Sequence, residues 1–114
     1  MAPPGFLGLE TALAASHSAL VVPGHLTPLA WASLWTRGPR EALGLAQPAL
    51  EAGAPADLTL FDPLARWKVD PLKFASKSRN SPFQGLELAG RPVLTLLGGR
   101  ITHDASLQPA GASR

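Results

Sequence analysis

Two adjacent glycines, Gly98-Gly99, separate Val93-Leu-Thr-Leu-Leu97 from Arg100-Ile-Thr102, and they constrain this chain more than any other feature. Positive φ is cheap only for glycine, so a Gly-Gly between two β-rich runs specifies a tight hairpin. Upstream, Asp57-Leu-Thr-Leu-Phe-Asp62 is an apolar run closed by turn formers, and Trp67-Lys-Val-Asp70 alternates with period two. The four runs predict a small antiparallel sheet. Residues 71–90 between them read as a long irregular connection, with a turn of helix near Leu72–Phe74.

The half before the sheet reads as helical. Leu9, Leu13, Leu20 and Val21 recur at helical spacing among alanines, which predicts a helix from about Gly8 to Val22, stopped by Pro23-Gly24. Thr27 is a good N-cap with Pro28 at the first helical position, so a second helix is expected to run to about Arg37. It would bury Trp31, Leu34 and Trp35 along one stripe and end at Gly38. A short helical turn from Pro39 to Leu43 follows, then a linker from Gln47 to Pro55. Residues 105–114 are small and polar and read as a disordered tail.

With 114 residues the chain is one domain's worth or less. Its hydrophobic share is 46% and its charged share 16%, the latter below the ~25% of ordinary domains. A chain this short and this apolar is expected to hide surface against something else. The net charge is +2, and the basic residues are scattered rather than interleaved with aromatics in a stripe, which argues against nucleic-acid binding. There is no cysteine, which removes disulfides, thiolate metal sites and a Cys nucleophile. Between Glu10 and Arg37 no residue carries a formal charge, but His17, Pro23, Gly24, His25 and Pro28 break that stretch as a membrane span. Met1-Ala-Pro-Pro lacks the basic start of a signal peptide, so a cytoplasmic protein without membrane contact is expected.

The residues offer little chemistry of their own. A catalytic zinc needs three convergent ligands, and His17, His25 and His103 include no i, i+3 or i, i+4 pair; each reads as a surface or half-buried histidine. Ser16-His17-Ser18 and His103-Asp104 lack a nucleophile elbow. Lys77, Arg79 and Asn80 form the densest polar cluster, read either as a loop fastened by its own hydrogen bonds or as a ligand contact. Trp31, Trp35 and Trp67 read as core rather than as a binding platform. No catalytic and no metal residue is assigned.

The order of the motifs is nonetheless distinctive. Gly53-x-Pro55-Ala56-Asp57-Leu58-x-Leu60-Phe61-Asp62 is followed by Trp67-x-Val69 and Ser76-Lys77-Ser78-x-Asn80-Ser81-Pro82-Phe83. Gly85-x-x-Leu88-x-Gly90 and Val93, Thr95 and Gly98-Gly99-Arg100 come next. Over roughly residues 3–102 this resembles the C-terminal end of dihydroorotases, in the cyclic-amidase branch of the metal-dependent amidohydrolases. Pro3-Pro-Gly-Phe-Leu-Gly-Leu-Glu-Thr11 is similar to the segment after that family's last metal-ligand motif, and Pro39-Arg-Glu-Ala-Leu-Gly-Leu45 to its passage from barrel to β domain.

The resemblance implies an α+β fragment. Residues 1–46 would be the last outer helices of a TIM-type barrel, and 47–104 the C-terminal strands of a small accessory β-sandwich. It implies a zinc enzyme interconverting N-carbamoyl-L-aspartate and dihydroorotate in pyrimidine biosynthesis, whose histidines, bridging lysine and catalytic aspartate precede Met1. This chain alone would then be inactive and hold no zinc. Pro4, Gly5 and Phe6 match a loop beside the small-molecule substrate, where turn backbone groups can grip an imide or carboxylate; an ordinary connection into the first helix is the other reading. Phe83 is expected to clasp the β domain onto Trp31, Leu34 and Trp35. The family builds its accessory domain from both chain ends, so bare strand edges and self-association are expected. Allantoinase and dihydropyrimidinase share the layout. A non-catalytic scaffold beside an aspartate transcarbamoylase-like partner is the alternative outside enzymology.

Overall fold

The computed structural model describes residues 8–47, 49–75 and 80–107. Helix α1 (Ala12–Ser16) passes directly into a π-helical turn, His17–Val21, and is followed by α2 (Pro28–Trp35) and α3 (Arg37–Ala42). Strands β1 (Leu58–Lys68), β2 (Glu87–Leu97) and β3 (Arg100–Asp104) form one antiparallel sheet in the order β1-β2-β3. The fold is thus α+β, with helices packed on a three-stranded sheet. No helix among the described residues is long and apolar enough to cross a membrane.

Local chemistry explains several boundaries. The Thr27 hydroxyl accepts from the Ala30 amide at 3.1 Å, and Pro28 occupies the first turn of α2, as the sequence predicts. The hairpin also forms where Gly98-Gly99 requires it, both glycines having positive φ (59° and 81°). Asp57 fastens that hairpin from the neighbouring strand: its Oδ1 accepts from the Gly98 amide at 2.7 Å, and the Gly99 amide donates to Ala56 O at 3.0 Å. The conspicuous Ala56-Asp57 of the sequence is therefore a clamp on the turn.

Several expectations need correction. The first helix begins at Ala12 rather than Gly8, because residues 9–11 form a turn from which Glu10 accepts the Ala75 amide at 3.1 Å. The break between α2 and α3 falls at Thr36, not Gly38, and the latter helix runs from Arg37. The two upstream strand runs are one strand with irregular pairing. Asp62 stands opposite Arg91 and Arg66 opposite Ala89, so Pro63–Ala65 bulge against the single residue Gly90. Strand β2 begins at Glu87 rather than Val93, because these irregularities accommodate Gly90 and Pro92. Ala105–Leu107 form a 3-10 turn, which shortens the expected tail at its start.

Burial differs too. Trp31 is buried, but Leu34 and Trp35 keep 58% and 45% of their surface exposed, so α2 does not bury a stripe. Phe83 is half-buried against Ala14, Val69 and Leu88, together with Ala15, Trp67 and Phe74. It does join loop to helix, but through α1. The Trp31 seam is filled instead by Phe61 and His17, with ring centroids 5.0 and 5.3 Å away.

Helix and sheet meet at Ala89-Gly90. His17 Nδ1 lies 2.8 Å from Ala89 O and, facing a carbonyl, must carry the proton. The Ala89 amide donates to Ser18 Oγ at 2.8 Å, and that hydroxyl donates to Ala14 O at 2.7 Å. Adjacent residues of an α-helix diverge by about 100°; the wider π turn turns both His17 and Ser18 toward one strand. At Gly90 φ is +101°, and a β-carbon there would overlap the Phe61 ring and lie 3.0 Å from His17 Nδ1.

Two measurements check this joint. Gly90→Ala combines about 1–3 kcal/mol of backbone strain with about 1–3 kcal/mol of overpacking. Gly24→Ala, at φ +88° with open space around it, incurs only the strain. Chemical denaturation should therefore show the Gly90 variant clearly the less stable; equal losses would mean the close approach is absent. Ser18→Ala strands the Ala89 amide and should cost about 1–3 kcal/mol, whereas Ser106→Ala, at an exposed turn, should leave the midpoint unchanged.

Candidate functional site

Among the described residues no three His, Asp or Glu side chains converge to hold a metal ion. His17 is 4% exposed, which corrects its reading as a surface or half-buried residue; its Nδ1 is committed to Ala89 O and its ring is edge-on to Phe61 at 5.1 Å. His17, His25 and His103 therefore form no metal centre among the described residues. Ser16 and Ser18 are no nucleophiles either. The Ser16 hydroxyl accepts from the indole N–H groups of Trp31 (2.9 Å) and Trp35 (3.2 Å) and donates back to its own helix.

Pro4, Gly5 and Phe6, together with Lys77 and Arg79, lie outside the described residues. Asn80 is exposed. Next to it the Ser81 hydroxyl accepts from the Phe83 amide at 3.2 Å, the local turn that aims Phe83 inward.

The structure brings together a different set. A cleft of about 260 Å³ opens between the start of α1 and the face of the sheet. Leu9, Leu13, Trp67, Phe74 and Pro92 give it apolar walls, and Lys68, Lys73, Arg91, Glu10, Asp70 and His103 give it polar ones. Trp67 is fixed within it because its indole N–H donates to Gly90 O at 2.8 Å. The Arg91 guanidinium carbon lies 6.0 Å from the centre of the Trp67 ring, at the outer limit of a cation–π contact. Burial lowers the Arg91 pKa from its ordinary value, yet the group stays a cation at any working pH. Next to His103 in the chain, the Ser106 hydroxyl and amide both donate to Asp104 (2.6 and 2.9 Å) and hold its carboxyl below the usual range, aided by the charge of His103.

Sequence reasoning did not find this cleft. Trp67 and Arg91 are 24 residues apart, and only the bulged register of β1 on β2 puts them on one face. In the sequence, Trp67 falls in one expected strand and Arg91 just ahead of another, and nothing there brings them together.

Comparison with known proteins gives the context. No protein-family model matches the chain. A dihydroorotase of Pelotomaculum thermopropionicum is 46% identical over 101 residues, covering 89% of this chain and 24% of that protein. A dihydroorotase of Solibacter usitatus is 42% identical over 99 residues, covering 87% and 23%. Among solved structures, the L-hydantoinase (dihydropyrimidinase) from Arthrobacter aurescens superposes with a TM-score of 0.81 at 32% identity, covering 90% of this chain and 23% of that one. A D-hydantoinase superposes with a TM-score of 0.76 at 23% identity, which speaks for the fold alone. Over nearly its whole length the chain is thus similar in sequence to dihydroorotases and in fold to a hydantoinase, and it spans about a quarter of the length of those relatives.

Proposed function

We propose that this chain is the C-terminal part of a dihydroorotase-type amidohydrolase and that its work there is mechanical. Residues 1–46 supply the last outer helices of a TIM-type barrel, 47–104 supply strands of the accessory β-sandwich, and 105–114 end the chain. The observation that carries this reading is the 46% identity along nearly the whole chain. The Ala89–Gly90 joint adds support, since it locks helix to strand with groups specific to that contact. The assembled enzyme would interconvert N-carbamoyl-L-aspartate and dihydroorotate in the cytoplasm, its zinc held by residues that this chain does not contribute. Pro4, Gly5 and Phe6 would present turn backbone to that small-molecule substrate.

Hydrolysis of a hydantoin or dihydropyrimidine ring is the second reading, favoured by the fit to the L-hydantoinase. All these rings contain the same cyclic amide. The scaffold reading needs no chemistry of the chain and predicts a partner protein instead.

Segment exchange tests the mechanical role. The Pelotomaculum thermopropionicum dihydroorotase carrying this chain in place of its matched segment should fold and hydrolyse dihydroorotate with activity comparable to its parent. A folded but inactive chimera would overturn the proposal. The same exchange into the Arthrobacter aurescens L-hydantoinase should restore less of that enzyme's activity, and the reverse order would favour the second reading. The isolated chain, purified with zinc present, should retain substoichiometric metal and leave dihydroorotate intact. One tightly held zinc per chain, with turnover, would contradict the assignment.

A further inference from the structure

The cleft beside Trp67 holds a cation, Arg91, that no carboxylate pairs with. All eight Asp and Glu side chains of the sequence lie within the described residues, where the ion pair is Arg66–Glu87. Arg91 thus has no carboxylate side chain within pairing distance, and its Nε is buried with no hydrogen-bond partner among the described residues. The carboxylates around it each accept a backbone amide instead. Asp62 stands opposite Arg91 in register but accepts from the Leu64 amide at 2.9 Å. Glu10 accepts from the Ala75 amide, and Asp70 from the Leu72 amide at 3.0 Å.

Withdrawing a charge from water is unfavourable unless an opposite charge meets it. A guanidinium offers a planar fork that fits a carboxylate with two parallel hydrogen bonds. Leu13, Phe74 and Pro92 give the cleft its apolar wall, with the anchored Trp67 ring as platform. The volume, about 260 Å³, falls below the ~300–1,000 Å³ of pockets for drug-sized ligands, so the occupant is small. We propose that the Trp67–Arg91 cleft is a binding site for a small planar carboxylate, with its ring on the apolar wall and its carboxylate on the Arg91 guanidinium. The residues named are all of this chain, and the inference does not rest on the proposed enzymatic role.

Benzoate and its neutral isostere benzamide are the probes, followed by NMR of the isotope-labelled chain at low salt. Benzoate should produce saturable shifts at the Arg91 side chain, the Trp67 indole N–H and the Phe74 and Thr95 amides. Benzamide should bind about tenfold more weakly. R91Q should abolish that preference. R91K, which keeps the charge but not the fork, should weaken benzoate while still favouring it over benzamide; this variant serves if R91Q does not fold. D62N should leave benzoate binding intact or tighten it. Equal binding of the two probes, shifts scattered away from the cleft, or a benzoate preference that survives R91Q would overturn the site. So would Arg91 shifts that depend on protein concentration without benzoate, since the carboxylate would then come from a second copy of the chain.

Discussion

The N–H and the C=O of Ala89 are both held by one helical turn, and the rest of the structure depends on that grip. Opposite Gly90 the neighbouring strand bulges, so the ladder is irregular where helix and sheet must meet. Backbone groups that lose ladder partners cannot stay buried unpaired. Ser18 takes the Ala89 amide, His17 donates to its carbonyl, and Trp67 donates to the carbonyl of Gly90. Three side chains thereby satisfy what the sheet leaves open, and each also fixes the orientation of its own element.

Geometry makes the grip possible at two points. The π turn brings two consecutive side chains to the same strand, and Gly90 has no β-carbon to hold Phe61 and His17 away. Around the joint the apolar core is small: Ala14, Val69 and Leu88 are buried, with half-buried aromatics against them. Leu9 and Leu50 are 98% and 91% exposed, and Leu29, Leu43 and Leu64 also face outward. A segment that spans a quarter of its relatives and leaves this much leucine uncovered carries surface suited to burial against more protein. The polar joint, rather than a large core, is what ties its two halves together.

Much of the fold was legible because the deciding signals were local. Thr27-Pro28 specified a helix start and Gly98-Gly99 a hairpin, each through the conformational preferences of one or two residues. The ordered motifs also identified the family. What the sequence hid were features set by register. Strand β2 was expected only from Val93, because a single strand gives no sign of the bulge that accommodates Gly90 and Pro92. Leu34 and Trp35 read as core from periodicity alone, which registers an apolar stripe but not whether anything covers it. Phe83 was aimed inward by its turn as expected, but its destination depended on which helix lay across the sheet. The Trp67–Arg91 cleft was invisible for the same reason.

Native-state hydrogen exchange at the Ala89 amide tests the central claim most directly. If the helix holds this peptide as the distances require, its proton exchanges only when the whole chain opens, with the same opening free energy as the Val69 amide beneath it. Exchange of Ala89 as fast as that of the exposed Leu50 region, while Val69 remains protected, would show that sheet and helix come apart independently and would contradict the account.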